Sequence, residues 1–324
     1  MHFEKKVSVI CMTYNHKAFI RKCLDGFVMQ KTAFPFEVIV HDDASTDGTA
    51  QIITEYAEKY PDIICPVLQK ENQWSKGIKI SKNFIYPRIR GEYVAVCEGD
   101  DYWTDEYKLQ KQADFLDTHP DFTLCFHPVT IKWECQNRKD ELFPSPAFRF
   151  HKTVLELSDL QKHNFIQTNS VMIRWRFHRD STDMIPDKIM PGDWFLYMLH
   201  AELGKIGFLP DVMSVYRKHE TGVWHGARRT PEWFIRKAPF SIRFFREMEA
   251  RFDYSHTGEL VFMEYGRKFA LEDQEHGKSL LRTIQRGFKF LTVPLMMLCS
   301  SANKRIFWKN YGKALLVSMA WYIR

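Results

Sequence analysis

The segment FEVIVHDDASTDGTAQIITEYAEKY, residues 36–60, reads as strand, loop and helix in one pass. Phe36–Val40 is a short apolar, β-branched run, the mark of a strand buried on both faces. It ends abruptly in HDDASTDGT, where Asp, Ser, Thr and Gly favour loops and helix starts. From Ala50 to Tyr60 the apolar residues Ile52, Ile53, Tyr56, Ala57 and Tyr60 fall on one side of a helix.

The same rhythm extends in both directions. Upstream, Val7–Cys11 is a strand-like run ending in Thr13-Tyr14-Asn15-His16, and Lys17–Met29 carries Phe19, Cys23, Leu24, Phe27 and Val28 at helical spacing. Downstream, Ile63–Leu68 reads as a third strand, Lys82–Arg90 as a short helix and Glu92–Cys97 as a fourth strand. Alternation of this kind builds a parallel α/β sheet through right-handed crossovers, with helices on both faces. In such sheets ligands lie beyond the carboxyl ends of the strands. TYNH, HDDASTDGT and EGDD each follow a strand directly, so three polar loops are expected along one edge. Past Phe126 the rhythm breaks. Lys132–Phe150 reads as an irregular excursion, Leu196–Leu203 as helix, and Ile206–Leu209 and Met213–Tyr216 as short strands.

A chain of 324 residues with 45% hydrophobic and 27% charged residues has ample material for a soluble core. Its seven cysteines are scattered and odd in number, which points to reduced thiols in a cytoplasmic setting. Cys97 reads as strand packing. The polar Met1–Lys6 runs straight into a strand, so no signal peptide is expected, and no apolar run reaches the ~18 residues of a spanning helix. Net charge is +6, and Lys and Arg gather among aromatics in the last part of the chain. That basic, helical stretch is a candidate for contact with an anionic membrane surface or for packing on the rest of the chain, with Trp308, Tyr311, Leu315, Leu316 and Met319 on the face involved. It contains no recognisable nucleic-acid-binding module.

The acids carry the chemistry. Asp42 and Asp43 stand together at a strand end, more than capping alone requires, and an acid aimed from there can accept a hydrogen bond from a nucleobase ring N–H. In CEGDDYW, residues 97–103, three carboxylates occupy four positions behind an apolar strand, with Gly99 permitting the turn. Crowded carboxylates are tolerable around a hard divalent cation such as Mn²⁺ or Mg²⁺. Mg²⁺ takes few protein carboxylates and fills its shell from phosphate and water, so a diphosphate ligand is implied as well. Further on, MPGDWFLYML places Asp193 after Pro191-Gly192 and before an apolar helix, a good helix-capping position. VYRKHETGVWH then supplies Arg217, suited to offsetting phosphate charge, with His219, His225 and Trp224 close behind.

VSVICMTYNHKAFIRKCLDG, EVIVHDDASTDGT and GEYVAVCEGDDYW, in this order, resemble the family 2 glycosyltransferases over roughly residues 5–225. The resemblance implies the GT-A fold, a Rossmann-like and mostly parallel central sheet, here with a C-terminal helical extension. It implies a nucleotide-sugar donor, most often carrying uracil, and a glycan or lipid-linked acceptor hydroxyl. Asp43 would take the base N–H, with Asp42 beside it, and Thr13, Tyr14 and Asn15 would wall the nucleoside pocket. The family's metal-binding D-x-D falls on Glu98-Gly99-Asp100. Asp100 would then be the metal ligand, Asp101 its support, and Glu98, a departure from Asp, would face the ribose or a metal-bound water. Asp193 stands where the family keeps its catalytic base, and His219 where it often adds a metal ligand, with His225 as competitor. Trp103 and Trp224 would support the site. The expected layout is a catalytic domain over residues 1–229, split into a nucleotide-binding half, 1–105, and an acceptor half, 106–229, followed by a basic helical region over 230–324.

The expected reaction is an inverting transfer to a hydroxyl in bacterial surface polysaccharide or glycoconjugate synthesis, cytoplasmic or peripheral on the inner face of the membrane. A non-catalytic binder on the same scaffold and a sugar nucleotidyltransferase are the rivals. The filled Asp193 position argues against the first. Against the second stands the lack of Gly in TYNHKAFIRK, where a triphosphate loop needs one. GxGxxG is missing, which removes the nicotinamide dehydrogenases.

Overall fold

A computed structural model of the chain describes residues 3–134, 138–145, 154–177, 185–222 and 231–256, together with 259, 260, 263, 264, 267 and 271. Its first half alternates as the sequence leads one to expect: β1 (Lys5–Thr13), α1 (Ile20–Val28), β2 (Phe36–Asp42), α2 (Thr49–Lys59), β3 (Ile64–Leu68) and β4 (Gly91–Val96). The short strand β5 (Tyr102–Trp103) and helix α3 (Lys108–Thr118) follow, then β6 (Phe122–Phe126), β7 (Val129–Trp133), β8 (Glu141–Phe143) and the single turn α4 (Leu157–Leu160). The remaining elements are β9 (Met172–Arg174), α5 (Gly192–Ala201), β10 (Lys205–Phe208), β11 (Ser214–Lys218) and α6 (Pro231–Phe252).

Seven strands form the main sheet in the order β10-β6-β9-β4-β1-β2-β3. All neighbours are parallel except β9, which runs antiparallel to both β4 and β6. This is the expected mostly parallel α/β sheet. Every residue of β2 is buried, as a central strand covered on both faces requires. Helix α1 buries Cys23, Leu24 and Phe27 of the expected stripe against the sheet, together with Ile20, while Phe19 and Val28 are half-buried. β3 lies at the sheet's edge and contains Pro66, which has no N–H to give. Val38 N–H donates to the Ile63 carbonyl and Gln69 N–H to the Asp42 carbonyl, so the odd-numbered residues bond inward and Pro66 turns its nitrogen outward. A smaller sheet, β5-β11-β7-β8, stands beside the first.

Three local expectations change. The short helix expected over Lys82–Arg90 is a π turn, Ser81–Ile85, joined to a 3-10 turn, Tyr86–Arg88. Within the stretch expected to be irregular, β7 and β8 pair antiparallel, Ile131 facing Glu141. Gly99 is needed for closeness rather than for an unusual backbone angle. A Cβ there would stand 2.8 Å from Thr13 Cβ and Oγ1, so the loop after β4 crosses the end of β1 only with glycine.

The chain divides into two compact units, Met1–Ile185 with Asp193–Thr221, and Pro186–Gly192 with Gly222–Arg324. In the second, α6 supplies the expected helical extension and buries Ala238, Phe244, Phe245, Met248 and Phe252. Trp308, Tyr311, Leu315, Leu316 and Met319 lie outside the described residues. Among the described residues no helix is long and apolar enough to cross a membrane.

Candidate functional site

The ends of β1, β2 and β4 are stitched together. Asp43 N–H donates to the Thr13 carbonyl at 3.1 Å, and Gly99 N–H to the Met12 carbonyl at 3.0 Å. The three polar loops therefore share one edge, beyond the carboxyl ends of the parallel strands.

The first group gathers around Asp43. Its carboxylate accepts the backbone N–H groups of Gln73 at 2.8 Å and Trp74 at 3.1 Å, pinning the loop that follows β3. Each carboxylate oxygen has a second lone pair, so a further donor can still be accommodated. Asp42 is buried and spends both oxygens on Ser45, through its N–H at 2.9 Å and its hydroxyl. It builds the loop. Asn15 takes a left-handed backbone, φ 54°, as does Ala44 at 61°, two strained positions on adjacent loops. Asn15 is held there by its own N–H on Ser45 Oγ and by its side-chain oxygen on Thr46 N–H. Tyr14 stays 46% exposed, whereas Thr13 is buried, and its Oγ1 has no hydrogen-bond partner among the described residues.

The second group gathers around Asp100. Its Oδ2 lies 3.0 Å from His219 Nε2 and 3.9 Å from His16 Nε2. Burial raises the Asp100 carboxyl, but the His219 hydrogen bond and the charges of both histidines outweigh it and leave the group below the ordinary range. Glu98 is pushed up to about 8, by burial first and then by the charges of Asp100 and Asp193. Asp101 faces inward, fully buried, and accepts Arg217 N–H at 2.8 Å and Asn169 Nδ2–H at 3.1 Å. It fastens the acidic loop to β11. Trp103, also buried, donates its indole N–H to the Asn169 carbonyl at 3.0 Å.

Arg217 is buried between the rings of Tyr102 and Phe19, 4.4 and 5.2 Å from their centres. Its guanidinium donates to the Asp100 carbonyl at 2.7 Å and pairs with Glu134 at 3.2 Å. The side chain expected as an open partner for phosphate is thus first a brace for the acidic loop. His219 is buried, bonded through Nδ1 to Thr221 Oγ1 at 2.8 Å and packed 4.5 Å from the Phe19 ring. Trp224 and His225 lie outside the described residues.

Asp193 opens α5. Oδ1 accepts Trp194 N–H at 2.8 Å and Oδ2 accepts the Thr168 hydroxyl at 2.9 Å. Burial raises its carboxyl, and those two donors partly offset the rise. Its charge acts on Glu98, which places base candidate and acidic loop in one field.

Among the described residues no group of three His, Cys, Asp or Glu side chains is arranged to hold a metal ion. The fit to a divalent cation rests on fewer groups. Asp100 and His219 meet at one point beside a second acid, Glu98, and the buried Thr13 Oγ1 and His16 Nδ1 are without partners among the described residues. The carboxylate suits Mn²⁺ or Mg²⁺, the imidazole can add one nitrogen ligand, and an ion with few protein ligands takes the rest from phosphate and water.

Sequence reasoning passed over several of these residues. His16 stands in TYNH directly behind the three residues expected at the nucleoside. Phe19 read as helix stripe, and Glu134 fell in the excursion. Thr168 and Asn169 had no acidic motif around them to draw notice.

Comparison with known proteins agrees with the fold. The profile described as glycosyl transferase family 2 matches residues 8–219. An uncharacterized protein of Mycobacterium tuberculosis is 47% identical over 223 residues, 68% of this chain and 61% of that protein. Poly(ribitol-phosphate) β-N-acetylglucosaminyltransferase TarS of Staphylococcus aureus is 29% identical over 223 residues, 67% of this chain and 36% of TarS. The chain thus spans less than two thirds of the length of these relatives. In solved structures, TarS 1–349 in complex with UDP-GlcNAc superposes with a TM-score of 0.54 at 21% identity, covering 97% of this chain and 81% of that one. The mannosyltransferase PcManGT of Pyrobaculum calidifontis, in complex with GDP-Man and Mn²⁺, gives 0.53 at 17% identity, covering 98% and 87%. At these identities the likeness is one of fold.

Proposed function

The chain belongs to glycosyl transferase family 2, and from that premise we propose that it moves a sugar from a nucleoside diphosphate donor to an acceptor hydroxyl, inverting the anomeric centre. The observation that carries this reading is the placement of Asp193 within the same electrostatic field as Glu98 and the Asp100–His219 pair. In this reading base and leaving-group side would flank one reaction centre.

Asp43, with Thr13, Tyr14 and Asn15, takes the nucleoside, and uracil fits an acid that accepts one ring N–H. Asp42 supports this wall through Ser45. Asp100 and His219 would hold a divalent cation, which when bound offsets the charge on the departing diphosphate. Glu98 faces the ribose side of the donor. Arg217 keeps its positive charge against the Asp100 carbonyl, where it adds to the field on the leaving group. Asp193 takes the proton from the acceptor oxygen as that oxygen attacks, the C–O bond to the diphosphate breaks, and the electron pair leaves with the phosphate. Burial makes Asp193 a stronger base than a solvated carboxylate, which suits the task.

Relatives named for poly(ribitol-phosphate) glycosylation and for teichuronic acid biosynthesis favour a surface glycan or lipid-linked acceptor. The catalytic domain is taken as residues 1–229 and the remainder as a basic region that either packs on it or meets the inner face of an anionic membrane, with the enzyme working in the cytoplasm. The test is a thermal-shift screen of UDP-, GDP- and dTDP-sugars with Mn²⁺, followed by turnover with the donor that stabilises most. Stabilisation by a UDP-sugar with release of UDP is expected. No shift with any donor would overturn the proposal.

A further inference from the structure

Three consecutive residues outside every quoted motif hold the two halves of this site. Thr168, Asn169 and Ser170 form one 3-10 turn, all of it buried. Thr168 Oγ1 donates to Asp193. The Asn169 side chain donates to Asp101 at 3.1 Å and to the Val215 carbonyl at 2.9 Å, and accepts the Ser214 hydroxyl at 3.2 Å. The Ser170 carbonyl accepts Gln112 Nε2–H at 2.9 Å, and its hydroxyl donates back to the Gln167 carbonyl at 2.6 Å. One rigid turn therefore grips the base candidate with its first residue and the acidic loop with its second. Asp101 relays the grip to Arg217, whose guanidinium ends on the Asp100 carbonyl.

We propose that Thr168 is the positioning residue of Asp193, and that the Thr168–Asn169 peptide fixes the distance between that carboxylate and the Asp100 loop. This rests on reading Asp193 as the base. The Asp193 carboxylate has two anchors of different origin. Trp194 N–H belongs to its own helix and moves with it, whereas the Thr168 hydroxyl comes from another segment and sets the plane of the carboxylate against the rest of the site. A hydroxyl has one hydrogen to give, and giving it to Asp193 favours the ionised form.

The groups facing Asp193 make that gift matter. Glu98 comes from the loop after β4, Tyr197 from α5 and Tyr216 from β11, and each lies within its field. None of the three is a cation. Trp194 N–H, the Thr168 hydroxyl and the backbone N–H of Asp193 itself work against burial at this carboxylate, and of these only the Thr168 hydroxyl comes from outside α5.

The test uses the full chain and four variants, Thr168→Val, Thr168→Ala, Thr168→Ser and Asp193→Asn. Carboxyl carbon NMR on protein labelled at aspartate Cγ follows the Asp193 titration directly, with Asp193→Asn identifying the resonance. Release of UDP from UDP-N-acetylglucosamine with Mn²⁺ gives kcat and KM against pH. Thr168→Val and Thr168→Ala should raise the Asp193 titration, and the acid limb of kcat with it, by about one pH unit, the size of one hydrogen bond to a charged group. KM for the donor should stay near the parent value, and Thr168→Ser should restore the parent profile. A Val or Ala variant that titrates like the parent, while Asp193→Asn abolishes turnover, overturns the inference and leaves the base reading standing. Turnover retained by Asp193→Asn overturns both.

Discussion

Asp100 Oδ2 and His219 Nε2 meet at 3.0 Å although the two residues are 119 positions apart. One hangs from the loop after β4 and the other follows β11, so the contact ties the main sheet to the smaller one. Asp101 makes the same tie in backbone terms through Arg217 N–H. Two consecutive acids thus divide the work, one turned inward to hold the loop and the other presented beside two histidines.

From that pair a metal response is expected. Chelation should stop turnover, and Mn²⁺ should restore it. Asp100→Asn and His219→Ala should each raise the Mn²⁺ concentration for half-activity by at least the roughly tenfold that loss of an outer partner costs. Metal titration of UDP release checks this, and unchanged half-saturation in Asp100→Asn removes Asp100 from the metal site.

Asp193→Asn should bind donor normally and lose turnover by roughly 10²–10⁴-fold, the usual contribution of a positioned base. Binding is read by thermal shift and chemistry by UDP release. A parent-like rate assigns the proton transfer elsewhere.

Asp43→Ala should raise KM for the donor by about 10–100-fold, since a hydrogen bond to a charged group contributes about 1.5–3 kcal/mol. The same change frees Gln73 and Trp74. Asn72→Ala therefore serves as control, because Asn72 holds this turn through the Asp43 carbonyl and Ser75 N–H without using the Asp43 carboxylate. A small rise in Asn72→Ala beside a large one in Asp43→Ala locates the effect at the carboxylate.

Lys108 is fully buried, bonded to Gln112 and set over the Trp103 ring, and burial lowers its ammonium to about 7. The unfolded chain keeps that proton up to the ordinary lysine value of 10.5. Between pH 7 and 10.5 the unfolded state therefore binds more protons, and stability should rise with pH through that window. Below it both states are protonated and the full burial cost is present. Urea unfolding at pH 7 and 9.5 should show a rise of about 2 kcal/mol in the parent that Lys108→Met lacks. Parallel curves for the two proteins would mean that folded Lys108 holds its proton as the unfolded chain does, and would count against its release in the core.

At the opposite end of the sheet Glu37 is 1% exposed and accepts Arg90, Ser8 Oγ–H and Arg90 N–H. Arg90 itself is half in solvent. Removing Arg90 strands a buried charge, whereas removing Glu37 leaves a cation that water can reach. Arg90→Met should therefore cost about 3–5 kcal/mol and Glu37→Gln clearly less, measured by urea unfolding. Equal losses would contradict the asymmetry.

Strands β1, β2 and β4 were legible because each is an apolar run buried on both faces and closed by polar residues, and edge strand β3 because it is a short apolar run between loops. The acidic loops were legible because carboxylates crowd there beyond any capping need. Helix α3 was hidden by its own buried face, where Lys108 and Gln112 stand among Leu109, Ala113 and Leu116 and blur the apolar stripe. β9 has three residues, too few for any periodicity. The turn at Gly99 was legible, whereas its crowding by Thr13 is a tertiary fact. Thr168 and Asn169 matter through partners 25 and 68 positions away, a distance no local pattern spans.

Pro66 has a consequence for how these molecules behave in company. Of the outward positions on β3, Ile64 already gives its N–H to the Tyr60 carbonyl at 2.9 Å, and Pro66 has none, which leaves Leu68. A strand arriving from a neighbouring copy would find a broken ladder and could not zip along it. The open margin of the sheet is thereby guarded against runaway stacking while the chain is being made at high local concentration.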